Sequence, residues 1–512
     1  MKQLPASQKL LPLFLLPPVL SILASFIIYF PVIDRYFVSD DFIVLKRVCV
    51  DHIIFIKWFF RPISDMSIFM NYGLGGLNPI VFNAFNILIH GINVYLIYLI
   101  CLNFGRRLDD KNNKPFAFVS AALFLCYPFH NEAVVWLLGR GASMACMFAL
   151  LSVLSYYKIR KEALMTALVC SFYFISISAF ETTIFFPLIF ILILILEKEN
   201  ARSIKKWTIL LILTFCSHMF LRYAVSGTIL GNYGQDFFHS DIKVYLLNIG
   251  RVGGRLLFPP FPNPAMLTIL FIISVLVAIY FAFKKSQKIN SSEAGRMILW
   301  LTGMLIISCI IPVVIGVSTR TSETDRVLYF PSVFLCMISA ILLLYCFKKT
   351  AFRLIAIVLI FAYNLFFLEK NNLNWIKASA ITRSFMEKIK GQRNQSTSYF
   401  LNIPNEINGA FVFRMGFSDA ILLWGEDSSR FVAVNYLPRL NFEKMNEKEK
   451  LDPEKSEIIL PPDIILKSDS SGCKQIFDHG ELKFTTIPGD KIYFWNIDQL
   501  DSVPACKLRN PR

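Results

Sequence analysis

The stretch CYPFHNEAVVWLLGRGASM, Cys126–Met144, places a histidine, a glutamate and an arginine between two apolar runs. These residues are His130, Glu132 and Arg140. Ionisable side chains at membrane depth cost roughly a few kcal/mol each, and they usually face a cavity. On one continuous helix, Arg140 would lie about 12 Å beyond Glu132. The stretch therefore predicts a bilayer span that opens with polar chemistry.

The composition of the whole chain is that of a membrane protein. Hydrophobic residues make up 55% of the 512 residues and charged residues 17%, whereas a soluble domain is roughly 25% charged. Many apolar runs approach the ~20 residues that cross a bilayer. We predict an α-helical polytopic membrane protein with about 11 spans. The candidate spans are roughly 10–31, 79–102, 116–128, 132–156, 163–179, 182–197, 207–222, 265–283, 297–317, 330–347 and 352–369.

The distribution of charge sets the expected orientation. The net charge is +16, yet residues 391–512 hold 15 Lys and Arg against 17 Asp and Glu. The excess of positive charge therefore lies in short loops between apolar runs, which is typical of loops retained in the cytoplasm rather than of nucleic-acid binding. We expect a retained first span, a cytoplasmic N-terminus and a C-terminus on the outer side.

The composition and periodicity of the sequence change near residue 397. Short alternating or β-branched runs broken by proline, glycine and asparagine predict a small β-rich domain. We therefore divide the chain into a transmembrane domain, residues 1–390, and a soluble domain, residues 391–512. Whether Cys473 and Cys506 form a disulfide in that domain is left open by the sequence.

Ionisable residues gather on one predicted side of the membrane. Each has a structural interpretation that the sequence leaves open: Asp40 and Asp41 as a solvated pair or helix cap, His130 as a packing residue, and Arg140 as the partner of a buried acid. Because they cluster, we expect them to line one water-accessible hollow. The group comprises Asp40, Asp41, Arg61, His130, Glu132, Arg140, Glu181, Arg251, Arg255, Glu323, Asp325 and Arg326.

Glycosyl transfer from a lipid-linked sugar suits this arrangement. The reaction needs a carboxylate to accept the proton of an attacking hydroxyl, and cations to stabilise the departing lipid phosphate. It also needs an apolar groove for the prenyl chain. The glycine clusters at 73–76 and 250–255 do not follow the phosphate-loop pattern, and no cysteine–histidine spacing fits a zinc site. No cofactor is certain, although the paired aspartates could hold a divalent cation.

Four blocks in order resemble the membrane half of the transmembrane and tetratricopeptide repeat-containing O-mannosyltransferases and their bacterial relatives, within the GT-C glycosyltransferases. The blocks begin FRPISDM (60–66), ALFLCYPFH (122–130), ETDRVLYFPS (323–332) and NNLNWIK (371–377). The resemblance covers roughly residues 35–380. It implies a GT-C fold. Together with the β-rich region, the bacterial relatives lead us to expect a location in the bacterial inner membrane, and the charge bias of the loops puts residues 391–512 in the periplasm.

The resemblance also implies roles for individual residues. An acidic motif acting as catalytic base falls on Asp40 and Asp41, and the family's Arg-Pro pair falls on Arg61. The family usually has histidine where this chain has Tyr127, and lysine where it has Phe180. The repeat tail of the family is absent, so protein O-mannosylation does not carry over.

The leading hypothesis is an inverting glycosyltransferase that uses an undecaprenyl-phosphate-linked hexose or pentose. Its acceptor would be a glycan, a lipid-linked saccharide or a protein hydroxyl. The phosphate contacts would come from four arginines, and four other residues would shape the site. The four arginines are Arg61, Arg326, Arg140 and Arg255, and the shaping residues are His130, Glu132, Glu181 and Asp325. The alternative is a transporter or flippase of a lipid-linked saccharide, which would favour paired halves and broken helices near the midplane.

Overall fold

The computed structural model describes residues 16–56, 59–108, 110–229, 241–284, 293–347, 349–390 and 397–435, together with strands between 465 and 504. The chain forms two compact units. The first comprises residues within 1–34 and 53–374, and the second comprises residues within 35–52 and 375–512. Cys473 and Cys506 lie outside the described residues. The domain boundary near residue 390 stays a prediction.

Helices account for most of the described chain. In chain order they are α1 (Leu16–Tyr29), α2 (Asp41–Leu45), α3 (Pro62–Gly75), α4 (Pro79–Phe104), α5 (Asp110–Leu125), α6 (Asn131–Val134), α7 (Arg140–Lys158), α8 (Glu162–Ala179), α9 (Phe186–Leu196), α10 (Ala201–Ser226), α11 (Ile242–Leu257), α12 (Pro264–Lys284), α13 (Glu293–Ser308), α14 (Ile310–Ile315), α15 (Tyr329–Cys346), α16 (Thr350–Lys390) and α17 (Phe417–Leu423). Short 3-10 turns precede α9 at Glu181–Thr183 and α15 at Asp325–Leu328.

Several helices have the length and composition of membrane spans. Within the described ranges, five meet both requirements: Pro79–Arg107, Glu162–Ala179, Ala201–Ser226, Asp325–Tyr345 and Thr350–Lys390. Three shorter apolar segments lie at Pro17–Val32, Glu181–Leu196 and Pro264–Leu276. The prediction of a helical protein with transmembrane helices is therefore confirmed. The number of about 11 spans stays a prediction.

The predicted span 132–156 is wrong at its beginning. The chain forms the short helix α6, turns over residues 135–139, and starts α7 only at Arg140. Glu132 and Arg140 are therefore not on one helix. The turn is apolar throughout (VWLLG), so a hydropathy pattern continues through it without a break.

α10 is apolar on the outside and polar on the inside. Its exposed side chains include Ile212, Leu213 and Phe220, each more than half exposed, whereas His218 and Arg222 are buried. In water this pattern would be unstable, but in a bilayer the apolar face meets lipid and the polar groups face protein. α10 is therefore a lipid-facing helix that directs His218 and Arg222 into the first unit.

The second unit combines α2, part of α16, α17 and the strands. The strands are β1 (Ser398–Ile403), β2 (Glu406–Ile407), β3 (Ala410–Phe411), β4 (Phe431–Asn435), β5 (Ile465–Ser468), β6 (Gln475–His479), β7 (Leu482–Thr486), β8 (Lys491–Asn496) and β9 (Gln499–Pro504). One sheet has the order β4-β1-β8-β9, with β1 parallel to both of its neighbours. The others are the antiparallel sheet β5-β6-β7 and the hairpin β2-β3. A separate β-rich domain bounded at 391–512 stays a prediction.

Candidate functional site

Two glycines bring the start of α7 close to its neighbours. A Cβ atom at Gly139 would overlap the backbone carbonyl oxygen of Glu132. A Cβ atom at Gly141 would lie 3.0 Å from Ser64 Oγ and 3.1 Å from the carbonyl oxygen of Ala179. The Gly-Arg-Gly sequence thus packs against α6, α3 and the end of α8 at one point, because glycine permits this close approach.

Arg140, between these glycines, is completely buried. Its Nη1 donates to Asn71 Oδ1 at 2.6 Å and to Ser67 Oγ at 3.2 Å, both on α3. Its Nη2 donates to the carbonyl oxygen of Phe82 on α4 at 3.1 Å. The planar guanidinium supplies these donors in one fixed fork. Arg140 therefore ties α7 to α3 and α4.

Glu132, in α6, holds the 3-10 turn before α15. Its Oε2 accepts the backbone N–H of Arg326 at 2.9 Å, and its Oε1 pairs with the Arg326 guanidinium. The carboxylate is fully buried, whereas the Arg326 side chain is 20% exposed. The guanidinium also lies 5.2 Å from the ring centroid of Trp136. Glu132 thus fixes the backbone of Arg326 and leaves part of its cation accessible.

The residue before Arg326 makes a second ion pair. Asp325 accepts two hydrogen bonds from Nη2 of Arg255, at 2.6 and 2.7 Å, and both side chains are buried. Arg255 ends α11, and its Nη1 also donates to the carbonyl oxygen of Phe258 at 2.6 Å. Its guanidinium stacks over Phe129 at 4.7 Å. This pair joins α11 to the turn that carries Arg326.

Arg61 and Glu181 meet across 120 positions of sequence. Nε and Nη2 of Arg61 both lie 3.0 Å from Glu181 Oε2, and the guanidinium stacks 4.5 Å from the ring centroid of Phe180. A third residue, Arg222 on α10, donates to the other oxygen, Oε1, at 3.1 Å. Glu181 is therefore held between two arginines.

Accessibility separates the four arginines proposed for phosphate contact. The Arg61 side chain is 23% exposed and that of Arg326 is 20% exposed. Arg140 and Arg255 are both completely buried, and their hydrogen bonds hold protein groups. This geometry favours Arg61 and Arg326 as ligands of an incoming anion, and it favours a supporting role for Arg140 and Arg255.

His130 precedes α6 in a wholly buried aromatic cluster. Its Nε2 lies 2.7 Å from Ser332 Oγ, and its ring packs 4.4 Å from both Phe124 and Tyr329. Burial holds the pKa of His130 well below its usual value. A neutral imidazole in this position stabilises the packing of α15 against the residues before α6.

An apolar cavity of about 210 Å³ lies beside the Arg255 ion pair. Tyr127 contributes to its wall and donates a hydrogen bond to the carbonyl oxygen of Leu256 at 2.7 Å. Tyr127, one of the two departures from the O-mannosyltransferase pattern, therefore stabilises the end of α11. The lining includes Leu123, Tyr127, Phe129, Leu256, Cys336 and Tyr363.

The acidic pair of the second unit divides into a buried and an accessible carboxylate. Asp41 is completely buried, and its Oδ2 accepts the backbone N–H of Val38 at 3.0 Å and lies 3.7 Å from Arg35 Nη2. Burial lowers the pKa of Arg35, and the neighbouring Asp41 opposes this shift. Asp40 is 23% exposed, lies 3.7 Å from Arg414 and accepts a hydrogen bond from Ser39.

A residue with left-handed backbone directly precedes the acidic residues Asp40 and Asp325, one in each unit. Ser39, with φ of 46°, comes directly before Asp40, and Thr324, with φ of 72°, comes directly before Asp325. Such a conformation costs a non-glycine residue roughly 1–3 kcal/mol and is concentrated at functional sites. Ser39 is held in it by the hydrogen bond from its N–H to the Val412 carbonyl at 2.7 Å. Among the described residues, no group of three or more potential metal ligands is found.

Sequence reasoning missed Arg222 and its neighbour His218. Both lie on α10, one turn apart, in the buried stripe that also contains Trp207 and Leu211. Among the residues that the structure describes, neither ring nitrogen of the buried His218 has a hydrogen-bond partner, and the ring packs edge-on to Phe60 at 5.4 Å. A helical stripe of polar residues within an otherwise apolar span was the signal available.

Comparisons with known proteins find similarity over one segment to protein O-mannosyl-transferases. No family model matches the sequence. The chain is homologous over a limited segment to protein O-mannosyl-transferases: it is 35% identical to TMTC1 of Mus musculus over 102 residues, 33% to TMTC4 of Homo sapiens over 114 residues and 33% to Tmtc1 of Drosophila melanogaster over 96 residues. These segments cover 19, 20 and 19% of this chain, and 10, 15 and 10% of those proteins.

The chain therefore matches only about a tenth of the length of the first of these relatives. Among solved structures, the crystal structure of ArnT from Cupriavidus metallidurans bound to undecaprenyl phosphate aligns with 81% of this chain and 89% of that chain. The TM-score is 0.45 and the sequence identity is 10%.

Proposed function

We propose that this chain is an integral-membrane glycosyltransferase that moves a hexose or pentose from a polyprenyl phosphate to an acceptor hydroxyl. One observation carries the proposal. Two partly exposed arginines, Arg61 and Arg326, are each held by a more buried carboxylate, and both pairs adjoin segments packed on the start of α7. The segmental homology to protein O-mannosyl-transferases supports the same class of reaction.

The charge change in the reaction explains why two cations are useful. The acceptor oxygen attacks the anomeric carbon of the sugar, and the bond from that carbon to the phosphate oxygen breaks. The lipid phosphate, a singly charged diester in the donor, leaves as a monoester with a second negative charge. Donors aimed at a developing charge stabilise the transition state more than the ground state. We assign this role to Arg61 and Arg326.

The proton of the acceptor hydroxyl must pass to a base. We assign Asp40 as this base and Asp41 as the residue that shapes its loop, because Asp40 is the accessible carboxylate and Asp41 is buried beside Arg35. Attack opposite the leaving phosphate gives inversion. The strained Ser39 orients the backbone that carries both acids.

The proposal locates the reaction at the periplasmic face of a bacterial inner membrane, with residues 391–512 on the same side. The basic residues of the predicted inner loops support this orientation. The apolar cavity beside Arg255 suits part of a prenyl chain. The acceptor would be a glycan, a lipid-linked saccharide or a protein hydroxyl.

The test uses the full chain in nanodiscs with undecaprenyl phosphate carrying labelled hexoses or pentoses, and envelope material from a deletion strain as acceptor. Wild type should release undecaprenyl phosphate and label the acceptor. Asp40→Asn should lower transfer by roughly 100-fold or more, as loss of a general base does, without lowering stability. The control Asp51→Asn removes an exposed ion pair with Lys46 in the same segment and should leave transfer unchanged.

Two results would contradict the proposal. Full transfer by Asp40→Asn would exclude Asp40 as the base. Movement of the lipid-linked sugar across liposomes, with no cleavage of the sugar–phosphate bond under any donor, would favour the transporter hypothesis.

A further inference from the structure

The buried arginine on α10 adds a charge to the pair that we assign to phosphate contact. Arg222 donates to Glu181 Oε1, while Arg61 occupies Oε2. The Arg222 side chain is only 4% exposed, so it cannot itself reach a ligand as Arg61 can. Two arginines and one glutamate carry a formal charge of +1 together. An Arg61–Glu181 pair alone would carry none.

We propose that Arg222 is a positioning residue that sets the charge of this triad for the lipid phosphate, both in the donor and as the departing monoester. This inference rests on the proposed function, because the ligand is the donor's lipid phosphate. Arg222 offsets the negative charge of Glu181 from the buried side. The partly exposed Arg61 can then attract an anion, because the carboxylate no longer cancels its positive charge. It also holds Glu181 in place through the hydrogen bond to Oε1.

The surroundings strengthen this electrostatic role. Arg61 is stacked on Phe180, and the buried ring of His218, one turn from Arg222, packs between Phe60 and Phe174. Because His218 and Arg222 are almost fully buried, the inner side of the triad is shielded from water. Charges interact more strongly across such a poorly hydrated region than in water.

The test measures binding of undecaprenyl phosphate to the full chain in nanodiscs across a range of salt concentrations. Arg222→Gln brings the triad to a charge of zero and should weaken binding on the order of tenfold, as expected for one charge roughly 10 Å away at an effective dielectric constant of about 20. The double variant Arg222→Gln/Glu181→Gln restores the charge of +1. It should bind within about threefold of wild type.

Recovery of binding in the double variant distinguishes an electrostatic role of Arg222 from a purely structural one. If Arg222 only held the structure in place, removing its partner Glu181 would not restore binding. Glu181→Gln alone raises the charge to +2 and should bind more tightly than wild type, which keeps the test decisive if Arg222→Gln fails to fold. The control Arg296→Gln removes an exposed arginine paired with Glu293 and should not change binding.

The outcomes of these measurements separate the role of Arg222 from the proposed function. Unchanged binding in Arg222→Gln, or no recovery in the double variant, overturns the role of Arg222 and leaves the proposed function intact. Absence of undecaprenyl phosphate binding by wild type overturns the proposed function itself. Binding that Arg61→Gln does not weaken overturns the assignment of the triad to the phosphate.

Discussion

Substitution of alanine for Gly139 tests whether the close packing at the start of α7 holds the site together. The added Cβ would overlap the carbonyl oxygen of Glu132. That oxygen belongs to the backbone of α6, so it cannot move away as the end of a flexible side chain could. Relief requires the turn 135–139 to open, which would displace Glu132 from the Arg326 backbone N–H.

The expected cost follows from comparing three glycines. Overpacking against backbone typically costs about 1–3 kcal/mol, and we expect Gly139→Ala near the upper end. At Gly141 the nearest atoms lie 3.0 and 3.1 Å from the added Cβ, so small shifts suffice and helix propensity offsets them, for a net loss of about 0–1 kcal/mol. At Gly73, within α3, nothing lies within 4 Å, so alanine should stabilise by about 0.5–1 kcal/mol.

Thermal unfolding of the purified full chain in detergent, followed by tryptophan fluorescence at one fixed heating rate, measures these differences. One kcal/mol shifts the midpoint by roughly 2–4 °C in a protein of 150–250 residues, and by less in a chain as long as this one. The midpoints should fall in the order Gly73→Ala, wild type, Gly141→Ala, Gly139→Ala. A Gly139→Ala variant as stable as Gly73→Ala would refute the packing described at the start of α7.

Two further substitutions examine the polar groups beside this turn. Glu132→Gln removes the charge that faces Arg326 and should destabilise by about 2–3 kcal/mol, below the full cost of breaking a buried pair because Arg326 is partly exposed. Glu162→Gln breaks an exposed pair with Lys206 and should leave the midpoint almost unchanged in the same unfolding assay. Equal effects of the two substitutions would contradict the difference in burial. Arg140→Lys keeps the charge but loses the planar guanidinium, whose hydrogen bonds reach both α3 and α4. The substitution should therefore lower the stability by about 1–3 kcal/mol. An unchanged unfolding midpoint would show that those hydrogen bonds contribute little to stability.

The sequence predicts the membrane class well because hydropathy is a local property. Apolar runs and basic loops are visible in windows of about 20 residues. The pairing of charges is different. Glu132 and Arg326 are 194 positions apart, and nothing in either neighbourhood specifies the partner. The list of ionisable residues could therefore be predicted, but their ion pairs could not.

The two misjudged features have physical causes as well. The turn before α7 is made of apolar residues, so its hydropathy is that of a membrane span. Gly139 was the one residue in it that indicated a turn. Arg222 lies within a segment that is apolar enough to be treated as lipid-facing throughout. Helical spacing from Trp207 and Leu211 through His218 places it on the protein side instead. Periodicity of polar residues within a span is thus more informative than mean hydropathy.

The two accessible arginines share a design that suits a ligand which arrives and leaves. In each pair the carboxylate is less exposed than the cation, 16 against 23% for Glu181 and Arg61, and 0 against 20% for Glu132 and Arg326. An incoming anion therefore meets a guanidinium before it meets a carboxylate. Each carboxylate also has a second donor, Arg222 or the Arg326 backbone N–H. Under the proposed function, that donor would remain when the guanidinium turned toward a phosphate. The buried carboxylate would then keep a partner, and the cost of releasing the arginine would stay low.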